Sequence, residues 1–175
     1  MSSLSARTGR HRQRYDGQFR LVAGCIPYKL VVEKDKYSNA EKDIIVLMIS
    51  TPSREDLVFP KGGWEDDETL DQAACREALE EAGVTGVIGE QSLGVWEFQS
   101  KSSQKDENSH QGGCRGYLFP LEVTQELDQW PGQATYNRKW LTIKEAYKVC
   151  RYDWMKDALK FFEATMSLEG KEEGA

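Results

Sequence analysis

The sequence predicts an α/β fold. Three observations carry this expectation: apolar runs of strand length at 19–32, 43–50, 93–98 and 117–123, a capped helix over 69–82, and a second apolar-striped helix from about Asp153. Residues 19–32 (FRLVAGCIPYKLVV) are rich in β-branched side chains, with Pro27 indicating an edge or a bulge. The run 43–50 (DIIVLMIS) is almost continuously apolar, as in a strand buried on both faces. A turn-rich stretch and the short apolar piece Leu57–Phe59 follow, and Gly62-Gly63 after Pro60-Lys61 predicts a tight loop.

Helix 69–82 has the clearest start and stop. Thr69 and Gln72 form a capping box, Asp71 complements the helix dipole in the first turn, and Gly83 supplies a left-handed terminator. Leu70, Ala74, Ala78 and Ala82 make a narrow apolar stripe whose small side chains allow close approach to a sheet. Further strands are expected at Leu93–Phe98, Tyr117–Val123 and Arg138–Thr142, with a long polar loop (SKSSQKDENSHQGG) between the first two. Thr142 and Glu145 form a second capping box, and Met155, Ala158, Leu159, Phe162 and Met166 share one face of the last helix. The chain divides into a basic arm (1–18), one domain (19–168) and an acidic tail (169–175).

At 175 residues the chain is long enough to bury one core. A net charge of −6 argues against a nucleic-acid coat or a stable nucleic-acid complex, and there is no long uncharged apolar run to cross a membrane. A monomer is expected. Cys25, Cys75, Cys114 and Cys150 show no metal-site or redox spacing, which fits reduced thiols in a cytoplasmic or nuclear protein. The first fourteen residues carry Arg7, Arg10, Arg12 and Arg14 without an acid, which reads as a solvated end, as an arm helping to hold an anionic ligand, or as a mitochondrial transit signal that lacks apolar residues.

The segment that carries chemistry is 62–84, GGWEDDETLDQAACREALEEAGV. Glu77, Glu80 and Glu81 stand at i, i+3 and i+4, so three carboxylates project from one side of the helix. Like charges that close repel. A merely solvated acidic face carries interspersed lysines, whereas this helix has one cation, Arg76. A hard divalent cation explains the cluster better, and magnesium prefers oxygen ligands with retained waters.

These residues resemble the Nudix box, G-x5-E-x7-R-E-U-x-E-E-x-G-U, at every fixed position: Gly62, Glu68, Arg76, Glu77, Glu80, Glu81 and Gly83, with Ala78 (small for its slot) and Val84 at the apolar ones. The resemblance implies a Nudix fold, a mixed sheet sandwiched between helices, and hydrolysis of a phosphoanhydride with Mg2+ or Mn2+, more than one ion once substrate is bound. It also implies that Glu77 and Glu81 bind metal, that Glu80 binds metal or serves as the base, and that the Lys61 carbonyl is a further ligand. Arg76 would orient the glutamates, and Glu68 would brace the loop against the helix.

The flanks RYDGQFRLVAGCIPY, ISTPSREDLVFPKGGWEDDET and RKWLTIKEAYKVCRYDWM resemble the diphosphoinositol polyphosphate and diadenosine polyphosphate phosphohydrolases, plant members most closely. In that group basic and hydroxyl residues contact the phosphates. The corresponding or neighbouring positions are Arg14, Arg20, Ser50, Thr51, Arg54, Lys61, Arg115 and Arg138. Taken singly, each cation reads as a solubilising charge; converging on one pocket, they would suit a ligand with many phosphates. The chain departs from the animal members in having Lys61 where they have a glycine, and in a longer loop around Lys101–Gly113. Cap or nucleotide-derivative hydrolysis is the alternative substrate class. A binding module that has lost catalysis is disfavoured because no box carboxylate is missing.

Overall fold

The computed structural model describes residues 5–31, 43–99 and 113–173. Its strands are β1 (Tyr15–Asp16), β2 (Phe19–Val31), β3 (Asp43–Ser50), β4 (Leu57–Val58), β5 (Lys61–Gly63), β6 (Val84–Ile88), β7 (Gly94–Phe98), β8 (Cys114–Glu126) and β9 (Arg138–Thr142). The helices are α1 (Leu70–Glu77), which runs on as a wider π turn over Ala78–Ala82, α2 (Ile143–Val149) and α3 (Asp153–Glu173). One mixed sheet has the order β4-β3-β2-β8-β6, with β1 and β5 also on β2, β7 on β8 and β9 on β3. The pairing of β2 with β8 is parallel, and the other pairings are antiparallel.

Alternation along β2 separates the two faces. Ala23 meets Ala73 and Ala74 of α1 together with Phe119, so the box helix lies on that face. Tyr28, which shares its side of the strand with Arg20, packs edge-on against Phe162 of α3 at 5.2 Å between ring centroids. The sheet is thus sandwiched, and the small side chains of α1 explain how closely that helix sits. Ala74, Ala78 and Ala82 are fully buried, as are Met155, Ala158, Leu159 and Phe162 of the α3 stripe.

Both capping boxes form. The Thr69 hydroxyl accepts the Gln72 N–H while the Gln72 side chain accepts the Thr69 N–H, and Thr142 and Glu145 repeat the arrangement. Three expectations change, and one strand that was not anticipated appears. Pro27 lies in a central strand, not at an edge: β2 pairs with β5 through Gly24 and with β3 from Tyr28 onward. Cys25 donates to Pro60 on that same side, so the missing N–H of Pro27 faces the gap between two partner strands and costs no ladder bond. Gly62-Gly63 belongs to β5 and is no loop; the glycines serve close approach, with the Glu77 carboxylate against one and the Gln13 amide against the other. Val84–Ile88, too short and Gly-interrupted to read as a strand, pairs with β8 across a bulge at Thr85/Gly86. The backbone of α3 runs to Glu173, through most of the stretch expected to be a separate tail. The polar loop falls largely outside the described residues.

Candidate active site

The site begins with Arg76. All five of its N–H donors are used: Nε and one terminal nitrogen hold Glu68 at 2.9 and 2.7 Å, that nitrogen also reaches the Gly63 carbonyl at 2.9 Å, and the other terminal nitrogen reaches Glu77 at 2.9 Å and Glu80 at 3.1 Å. One planar cation thus locks β5, the box loop and the helix together. Burial pushes the Glu68 carboxyl up, but the Arg76 hydrogen bonds, the Glu65 N–H and the Arg76 charge outweigh it, and Glu68 is held below its ordinary value.

The carboxylates are buried together. Burial raises the Glu77 carboxyl well above its ordinary range, the neighbouring Glu81 charge raises it further, and Arg76 only partly offsets this. Glu81 is raised as well, first by burial, although Lys61 lowers it through its charge and through its N–H at 2.9 Å. The Tyr136 hydroxyl is a further partner of Glu81, and burial with the Glu81 and Glu77 charges pushes that phenol up to about 12. Glu80 accepts the backbone N–H of Arg7 at 3.0 Å, so the N-terminal arm reaches the cluster.

Gly62 is needed because any Cβ there would fall onto the Glu77 carboxylate. Gly83 ends the helix in the left-handed region at φ 66°, and a Cβ there would lie 2.6 Å from Trp130 and 2.8 Å from Arg138.

The sites expected to contact substrate are placed unevenly. The Arg14 guanidinium stacks 4.4 Å from the Trp64 ring centroid and donates to the carbonyls of Glu65, Asp66 and Glu68, fastening the arm to the box loop. Arg20 donates to Gln13 at 3.0 Å. Lys61 lies 5.2 Å from the Phe98 ring centroid. Arg115 pairs with Asp16 and Glu97 and covers Phe19. Its register partner is Leu21, one step from the Arg20–Cys114 pair, so Arg20 and Arg115 project from opposite faces of the sheet. Ser50 exchanges hydrogen bonds with Asn137, and Thr51 accepts one from Arg151. Arg54 is chelated by Asp56, at 3.0 and 2.6 Å. Arg138 stacks 4.2 Å from the Trp130 ring centroid and donates to the carbonyls of Ala82 and Gly83 at 3.2 and 3.1 Å. Arg20 and Lys61 share the α3 face, whereas Arg14 and Arg138 serve the box itself.

Sequence reading missed Glu65, Arg7, Trp130 and Tyr136. Arg7 bridges Glu65 and Asp67 at 2.7 Å each, and Trp130 donates to the Glu81 carbonyl at 3.1 Å. None has a fixed spacing from the box. The one available signal was an arginine-rich arm facing the acidic run EDDE at 65–68. All four cysteines are free thiols.

An all-oxygen cluster on a helix, locked by one arginine and cradled by a glycine strand, within a sheet sandwiched by helices, defines the Nudix class. The NUDIX domain family matches residues 37–164, and the chain belongs to the Nudix hydrolase family. It is 58% identical over 174 residues to "Nudix hydrolase 13, mitochondrial" of Arabidopsis thaliana, covering 97% of this chain and 86% of that one. To mouse "Diphosphoinositol polyphosphate phosphohydrolase 3-alpha" it is 36% identical over 139 residues, covering 77% and 72%. In fold it resembles a C. elegans Ap4A hydrolase, solved as a binary complex, with a TM-score of 0.61 at 23% identity, covering 84% of this chain and 97% of the other.

Proposed function

We propose that this chain is a divalent-metal phosphohydrolase that cleaves phosphoanhydride bonds in diphosphoinositol polyphosphates, diadenosine polyphosphates or both. The observation that supports it most is the packed acidic cluster: Glu77 lies against Gly62 and is raised by burial and by the Glu81 charge, and Glu81 is itself raised by burial. Two like charges held out of water are costly alone and become favourable with a cation between them. Among the described residues no group of three or more His, Cys, Asp or Glu side chains is arranged, as it stands, to hold a metal ion. Magnesium bound at phosphates takes only one or two protein carboxylates and keeps waters and substrate oxygens for the rest of its shell.

Glu77 and Glu81 would hold the metal, with the Lys61 carbonyl beside them. A bound divalent ion neutralises phosphate charge and lowers the pKa of a coordinated water. Glu80, held by Arg76 and the Arg7 N–H, would be the group to take a proton from an attacking water. Lys61, whose charge already acts on Glu81, would be the first cation to meet a bound polyphosphate, with Arg20 on the same side of the sheet. The substrate class rests on the mouse relative's name and on the flanking segments. The mitochondrial name of the Arabidopsis relative favours a mitochondrial location over the cytoplasm or nucleus.

The test is product identification from a panel: an inositol pyrophosphate, diadenosine polyphosphates of four to six phosphates, a cap analogue and a nucleotide sugar. The best kcat/KM on the first two kinds of substrate supports the reading. A best rate on the cap analogue or the sugar rejects the substrate class, and full activity of Glu81→Gln in excess chelator rejects the metal chemistry.

A further inference from the structure

The C-terminal end of a helix leaves its last carbonyls without intrahelical donors. Here those carbonyls belong to Glu80, Glu81, Ala82 and Gly83, and each accepts a hydrogen bond from the segment 127–138. The Gly132 N–H reaches the Glu80 carbonyl at 2.7 Å, and the Trp130 indole N–H reaches that of Glu81 at 3.1 Å. Arg138 spans the carbonyls of Ala82 and Gly83, and the Leu127 N–H adds a second bond to Gly83 at 2.8 Å.

Two of these four residues carry the carboxylates of the cluster. They also lie in the π turn Ala78–Ala82, a backbone form that rarely persists without outside support and is frequent at functional sites. The Arg138 guanidinium lies over the Trp130 ring, 4.2 Å from its centroid, so the two donors hold each other in place. Gly83 completes the fit, since a side chain there would displace both.

We infer that Trp130 and Arg138 are positioning residues for Glu80 and Glu81: they clamp the carbonyl ends of the π turn and so fix where its two carboxylates stand. This rests on the reading of Glu77 and Glu81 as the metal ligands and of Glu80 as the proton acceptor beside them. It gives Arg138 a task different from contact with phosphate.

The experiment uses the full chain with Trp130→Phe, which keeps the aromatic face and removes the indole donor, and with Arg138→Met and Arg138→Lys. Glu81→Gln serves as the control. Three quantities are measured: the Mn2+ dissociation constant without substrate by electron paramagnetic resonance, hydrogen exchange of the Ala82, Gly83 and Val84 amides, and kcat and KM at fixed Mg2+ for substrates of increasing phosphate number. The expected result for Trp130→Phe and Arg138→Met is Mn2+ binding weaker by roughly tenfold, in the range seen when groups supporting metal ligands are removed. Exchange becomes faster, kcat falls by the same factor for every substrate, KM is unchanged, and Arg138→Lys recovers part of the loss. Unchanged Mn2+ affinity and exchange would overturn the inference. So would a KM loss that grows with phosphate number at wild-type Mn2+ affinity, which would make Arg138 a substrate contact. If Arg138→Met does not fold, Trp130→Phe alone decides. If Glu81→Gln keeps wild-type Mn2+ affinity, the metal reading itself fails; if only the control loses Mn2+, the cluster stands and the clamp falls.

Discussion

Arg76→Met removes the cation that ties Glu68, Glu77 and Glu80 to the Gly63 carbonyl while filling part of the same space. The arginine side chain is 14% exposed, and its three carboxylate partners are 6%, 10% and 10% exposed, so water cannot replace the lost donors without opening the box loop. Glu68 would keep only the Glu65 N–H at 3.0 Å. Removing one partner of a buried pair costs about 3–5 kcal/mol, because the remaining charge stays desolvated. The pH dependence follows from sign. Glu68 is depressed in the folded protein, so its share of stability is present above its unfolded value, near about 4.3, and is lost as pH falls through the folded value. The part of the mutational cost that Glu68 carries is therefore full at pH 7.5 and smaller near pH 3.5, where its stranded carboxylate takes up a proton. The assay is urea unfolding with EDTA present, comparing midpoints at unchanged m. A cost below about 1 kcal/mol at pH 7.5, against the range expected for a buried pair, or an equal cost at both pH values, would refute the reasoning. Arg76→Lys, with three donors in place of a planar five, should fall between.

Other expectations are simpler to test. Gly83→Ala meets a left-handed backbone, at about 1–2 kcal/mol, and the Trp130 ring at 2.6 Å; its melting temperature and its activity should both drop. In EDTA, the raised carboxyls of Glu77 and Glu81 mean stability that is present below their unfolded value and lost as pH rises through their folded ones, so the metal-free melting temperature should fall between pH 6 and pH 8.5. Saturating Mg2+ should reverse that fall, and Glu77→Gln should flatten it while abolishing turnover; a rising profile without metal would contradict the burial argument. Cys75→Ser should keep wild-type kcat, since that half-buried thiol of α1 is raised by burial and packs against the hydrophobic core; a loss of activity in a folded variant would show otherwise.

The elements legible in the chain were those governed by neighbours. The two capping boxes, the alanine stripe and the apolar run at 43–50 each depend on contacts within a few residues, and each stands where its spacing placed it, whereas Glu80 and Glu81 lie on a π turn in place of the continuous α-helix expected. The box motif was legible for the same reason: its seven fixed residues lie on one loop and one helix, so linear spacing nearly determines their geometry. What needed the tertiary structure was pairing across distance. Whether Pro27 lies at an edge or in the centre depends on which strands flank it. Gly62 and Gly63 become a strand only because β2 passes beside them, and the faces on which Arg20 and Arg115 emerge follow from a one-residue offset in the β2–β8 register. Arg14 and Arg138 show the same division. As residue types both suit a phosphate, yet carbonyls and a tryptophan ring far away in sequence engage their guanidiniums, and no local pattern encodes where a long cationic side chain ends.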